Sequence, residues 1–163
     1  MRGSGLGEAF FKEAIDVEGK DHRLAANILP KTLAGTTYVE RNGFKITGAE
    51  HVPTGDPKKA EWAFLIEREP QSDDAPESGQ RMTTEYITSL ARSGEVGPGG
   101  SIAKRYDVRR DSARMKGETE DLARRGFFGT RYFADPRDVD TRYILFTPSR
   151  RIEAEKRTRS VRS

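Results

Sequence analysis

Residues 101–148 read SIAKRYDVRRDSARMKGETEDLARRGFF and then GTRYFADPRDVDTRYILFTP. No other stretch restricts the fold as much. Ser101 can cap a short helix ending near Tyr106. Asp107-Val108-Arg109 then forms a turn, and Asp111 or Ser112 opens a longer helix reaching about Arg125. Met115, Thr119 and Leu122 fall at i, i+4 and i+7 and give that helix a buried stripe. Gly117 interrupts it at a cost of about 0.5–1 kcal/mol relative to Ala. Gly126 ends it. Residues 127–133 and 142–147 are rich in β-formers and flank Asp135-Pro136-Arg137-Asp138, which reads as a hairpin tip. The expectation is a helix-turn-helix followed by a β-hairpin.

Upstream, 5–17 reads as a short helix with Phe10, Phe11, Ala14 and Ile15 on its apolar side. Pro30 divides the apolar run 24–34 and argues against a continuous helix there. Residues 36–40 (TTYVE) and 44–47 (FKIT) read as two strands around Asn42-Gly43, a strong local hairpin signal. Residues 62–67 (WAFLIE) read as a third. Thr83 or Thr84 can cap a helix through Tyr86, Ile87 and Leu90 that stops near Ser93-Gly94. Residues 70–80 (PQSDDAPESGQ) contain no large apolar side chain and read as a flexible linker. The expected organisation is therefore α+β: a small mixed or mostly β domain at 1–69, the linker, a second domain at 81–148, and a charged tail at 149–163. No internal repeat of solenoid period is visible.

Charge divides the chain in the same place. Residues 1–80 carry 10 basic and 14 acidic side chains, and residues 81–163 carry 19 and 12. The second half is thus the one suited to a polyanion. Arg outnumbers Lys by 20 to 9, which suits phosphate contacts. The chain has no Cys and only two His, so disulfide frameworks and thiolate zinc sites are excluded. No apolar run approaches a membrane span, and the N-terminus lacks a signal core, so a cytoplasmic protein is expected. No cofactor or metal is expected either. Asp135, Asp138 and Asp140 read as turn chemistry more readily than as metal ligands. Gly97-Pro98-Gly99-Gly100-Ser101 lacks the Lys-Ser/Thr ending of a phosphate loop.

Residues 83–148 resemble the winged helix-turn-helix domains of bacterial transcription regulators of the GntR and MarR kind. The resemblance is carried by SLARSGEVGPG, IAKRYDVRRDSAR, LARRGFF and RYFADPRDVDTRYILFTP. It implies that Ile102, Tyr106 and Val108 are buried, that helix 110–125 enters a DNA groove, and that hairpin 127–147 is the wing. Arg109, Arg110, Ser112 and Arg114 cluster where a helix N-terminus favours phosphate and where Arg can read guanine. Lys104 and Arg105 would cross the backbone on the first helix, with Arg131 and Arg137 on the wing. The sequence-level expectation is a non-enzymatic regulator of transcription or replication that binds duplex DNA, as a homodimer or within a larger complex. The alternative is a structural protein of a virion or nucleoprotein particle that uses the same module to bind protein.

Overall fold

The computed structural model describes residues 23–52, 61–69 and 82–149. The helix expected at 5–17, the linker at 70–80 and the tail beyond Ser149 lie outside them. The elements run β1 (Leu24–Ile28), α1 (Ala34–Asn42), β2 (Lys45–Val52), β3 (Glu61–Arg68), α2 (Thr84–Ser93), β4 (Ile102–Asp107), α3 (Ser112–Arg124), β5 (Phe127–Asp135) and β6 (Asp138–Pro148). All six strands form one antiparallel sheet in the order β1-β3-β2-β5-β6-β4.

This architecture overturns the resemblance and the fold class drawn from it. Among the described residues the structure is a β-rich six-stranded sheet with three α-helices, not a small N-terminal domain followed by a winged helix-turn-helix. Residues 102–107, expected as the first helix of the motif, are a strand paired with β6 from Ile102↔Phe146 to Asp107↔Thr141. Ile102 and Tyr106 are indeed on one side, but positions i and i+4 share a face in a strand as well as in a helix. The expected hairpin is present with its tip at Pro136-Arg137, but it is not a solvated wing. Thr141 to Thr147 are all buried, because β5 and β6 lie in the middle of the sheet and are covered on both faces.

A second correction falls in the first half. Residues 36–40 form part of α1, despite their β-branched composition. Gly35, Val39 and Asn42 are its buried positions, an i, i+4, i+7 face. Asn42-Gly43 is the end of that helix and not a hairpin turn. Gly43 takes φ 74° and its N–H reaches Tyr38 O. Both a helix C-cap and a tight hairpin need a residue at positive φ, so the dipeptide alone does not choose between them. The strand expected at 62–67 is β3, and the helix expected from Thr83 is α2. The Thr83 side chain accepts the Tyr86 N–H at 3.1 Å, and Gly94 closes the other end at φ 74°.

The topology is duplicated. β1-α1-β2-β3 and β4-α3-β5-β6 are two strand–helix–strand–strand units, each with its first strand at a sheet edge and its second at the centre. Within the sheet the units pair through one β2–β5 bridge, Ile46↔Gly129. One face of the sheet packs α1 and α3, through Val39, Met115 and Leu122, onto Ile28, Ile46, Phe64, Tyr132, Ile144 and Phe146. The other face carries α2, whose Ile87 and Leu90 cover Ala103, Phe133, Tyr143 and Leu145. Met115, Thr119 and Leu122 are the buried positions of α3, as their spacing predicts.

Gly117 is exposed in mid-helix and a Cβ there would meet nothing within 4 Å. Gly117→Ala is therefore expected to raise stability by about 0.5–1 kcal/mol, read as a higher urea midpoint at unchanged slope. A lower midpoint would mean the helix is not regular at this point.

Candidate polyanion-binding cleft

The β4–α3 turn is built by two aspartates. Asp107 Oδ1 accepts the backbone N–H of Arg109 at 2.9 Å and of Arg110 at 3.0 Å. Those bonds, Arg110 foremost, hold its carboxyl below the ordinary range. Asp111 accepts the Asp107 N–H at 2.8 Å, and that bond likewise lowers its pKa. Both carboxylates are thus ionised at neutral pH, and both sit among arginines.

The turn forms one wall of an open cleft of about 490 Å³ on the free edge of β4, between α2 and the start of α3. Arg92, Lys104, Arg105, Arg110 and Arg114 line it, against only Asp107 and Asp111. Arg114 is the most constrained of the five. Its Nη2 donates to Arg105 O at 3.1 Å, its Nη1 reaches Glu118 at 3.1 Å, and it lies 3.3 Å from Asp111. Its guanidinium also covers the Tyr106 ring at 4.7 Å, a cation–π contact. Tyr106 is fully buried and donates its hydroxyl to Glu118 at 3.2 Å. Burial first, and then the Glu118 charge, push that hydroxyl well above its usual pKa. Lys104 reaches the same Glu118 at 3.8 Å. Arg110 pairs with Asp107 at 3.5 Å yet stays 84% exposed. Arg92 and Arg105 are exposed and make no ion pair with a described residue.

Four of the eight cationic or polar residues nominated from the sequence therefore converge: Lys104, Arg105, Arg110 and Arg114. The other four do not join them. Arg109 turns to Asp140 at 3.3 Å and lines a separate pocket with Lys31 and Ser112. Ser112 Oγ is engaged by Trp62 Nε1 at 2.9 Å. Arg137 stands exposed at the hairpin tip, where its N–H donates to Asp135 at 2.8 Å. Arg131 is only 13% exposed and clamps Glu40 through Nε and Nη2, both at 2.8 Å. The same Glu40 carboxylate accepts the Tyr132 N–H at 3.3 Å, so this pair ties α1 to β5. Arg92 was missed by sequence reasoning. The signal that could have found it is a cation on the polar face of the last turn of α2, which the fold lays beside β4.

Asp138 accepts from Asp140 N–H at 3.1 Å and from the Thr141 hydroxyl at 2.9 Å. Among the described residues no helix is long and apolar enough to cross a membrane, and no group of three or more His, Asp or Glu is placed to hold a metal ion. No protein-family profile, curated protein sequence or solved structure matches this chain.

Proposed function

We propose that this protein binds nucleic acid, without catalysis, through the cationic cleft on the β4 edge. The observation that supports the reading is the gathering of five cationic side chains, from α2, β4 and the start of α3, on one open surface with Asp107 and Asp111, and with Glu118 behind Lys104 and Arg114. Arg92 and Arg105 have no carboxylate to surrender among the described residues, so they meet phosphate oxygens directly. Arg114 is held in place by Asp111, Glu118 and the Tyr106 ring, which lowers the entropy lost when it is engaged. Such contacts follow the phosphate backbone and not a base sequence. Duplex DNA is the partner the charge distribution of the chain suggests, with the cleft in place of a groove-reading helix.

The test is fluorescence anisotropy with a labelled duplex across a salt series, using Arg92→Gln with Arg105→Gln. Neither residue is in an ion pair with a described residue, so the fold is expected to stand. Affinity at low salt should fall about tenfold or more, and the slope of log affinity against log salt should lose about 2. An unchanged slope at an unchanged melting temperature would remove this cleft from any nucleic-acid contact.

A further inference from the structure

β4 is the last strand of the sheet, and its free side is closed at the ends and open in the middle. Its even-numbered residues turn their backbone toward β6, a pattern continued by Val108, whose N–H reaches Asp140 O at 2.8 Å. The odd-numbered residues face away. At one end Gly97 N–H covers Ser101 O at 2.8 Å. At the other, Asp111 takes the Asp107 N–H at 2.8 Å and Arg114 takes Arg105 O at 3.1 Å. These two side chains stand where the N–H and C=O of a neighbouring strand would be. Between them, Ala103 N–H, Ala103 C=O and Arg105 N–H meet no partner among the described residues. Ala103 and Arg105 both line the cleft.

We propose that this window accepts an acidic extended peptide, which adds as a short strand to β4. A donor, an acceptor and a donor in succession match a polypeptide backbone. A phosphate chain, by contrast, offers only acceptors and leaves the Ala103 carbonyl facing an anion. Charge selects the occupant. A second copy of this chain, presenting its own β4 edge, would set five cations against five, which opposes edge-to-edge pairing. Alternate carboxylates on the α2 side of the incoming strand would instead lie against Arg92, Arg105 and Arg110, all of which line the cleft. The peptide excludes nucleic acid from the same cations, so it regulates the site; this part of the inference rests on the nucleic-acid reading above.

The experiment uses the full chain and two fluorescent capped peptides. One alternates Glu and Val; the other has the same sequence with every backbone amide N-methylated. Both have equal charge, but only the first has the N–H groups and the unhindered edge that strand pairing needs. The unmethylated peptide should bind about tenfold or more tightly than its N-methylated counterpart. It should also slow amide exchange at Ala103 and Arg105 by about tenfold or more, and displace a bound duplex. Equal affinities, or unchanged exchange at those two amides, would overturn the proposal. Peptide binding without any duplex retention keeps the strand site and removes the nucleic-acid reading. Duplex retention with no preference between the peptides does the reverse.

Discussion

Arg142→Ala is expected to cost about 3–5 kcal/mol of stability, the largest loss of any single substitution considered for this fold. Arg142 is a strand residue of β6 that is 1% exposed. Its guanidinium meets four neutral acceptors. Nε donates to Val139 O at 2.7 Å, while Nη1 donates to Pro30 O at 3.0 Å, to Thr32 O at 3.2 Å and to the Tyr132 hydroxyl at 2.8 Å. No described carboxylate pairs with it, so these oxygens are its solvation. They also fasten the β1–α1 loop of the first unit to the central hairpin of the second. Truncation to Ala takes a donor from three carbonyls, of which Pro30 O keeps the Tyr132 hydroxyl at 3.4 Å, and opens a void among them. Arg142→Met, which restores most of the volume but none of the donors, separates the two effects and is expected to recover only the packing part. Urea unfolding reads both. A loss below about 1 kcal/mol for the alanine variant would show that water replaces the guanidinium at little cost and would remove it as the tie between the units.

Gly129→Val is the second large effect, expected to destabilise by about 1–3 kcal/mol or more through overpacking. Gly129 forms the one bridge between β2 and β5. A Cβ there would lie 2.9 Å from Ile46 Cβ, 3.1 Å from Ile46 Cδ1 and 3.2 Å from Ile144 Cγ2. The strands would have to part where the two units join, since both neighbours are buried to 1% exposure or less. Gly48→Val is the matched control. Its new Cβ would touch Leu65 Cδ1 at 3.4 Å, an ordinary contact with the end of a flexible side chain. Thermal melting should place the two variants several degrees apart. Equal melting temperatures would mean that the β2–β5 junction has slack that the close approach at Gly129 does not suggest.

Local signals in the chain were strongest where a single period was possible. α3 was legible because Met115, Thr119 and Leu122 fit only the helical spacing, and α2 because Thr83 and Gly94 punctuate it. The β5–β6 hairpin was legible from its Asp-Pro-Arg-Asp tip. Residues 102–106 were not, because Ile102 and Tyr106 satisfy both periods and Lys104 hides among them. As a strand residue Lys104 shares their side and sends its amine to Glu118, which a polarity pattern reads as a solvated helix position. Residues 36–40 failed for the opposite reason. Their β-branched side chains favour a strand, but α1 is decided by close packing at Gly35, where a Cβ would lie 3.0 Å from both Ile28 Cγ2 and Tyr132 Cε1. Tertiary contact overrides a weak intrinsic preference.

The same division holds for the site. That the second half of the chain is cationic, and that Arg109, Arg110 and Arg114 lie near the start of a helix, follows from the order of residues. Which of these charges are available to a ligand does not. Arg131 and Arg105 look alike in sequence, each beside an aromatic residue in a basic segment. The sheet buries Arg131 against Glu40 from a helix 91 positions away, and leaves Arg105 in the open cleft on the strand that ends the sheet. Composition and spacing set the inventory of cations and the local turns that present them. Long-range pairing of β4 with β6, and of one unit with the other, sorted that inventory into structural ties and an exposed surface. It could do so because a charge becomes a tie only where folding brings a buried partner to it.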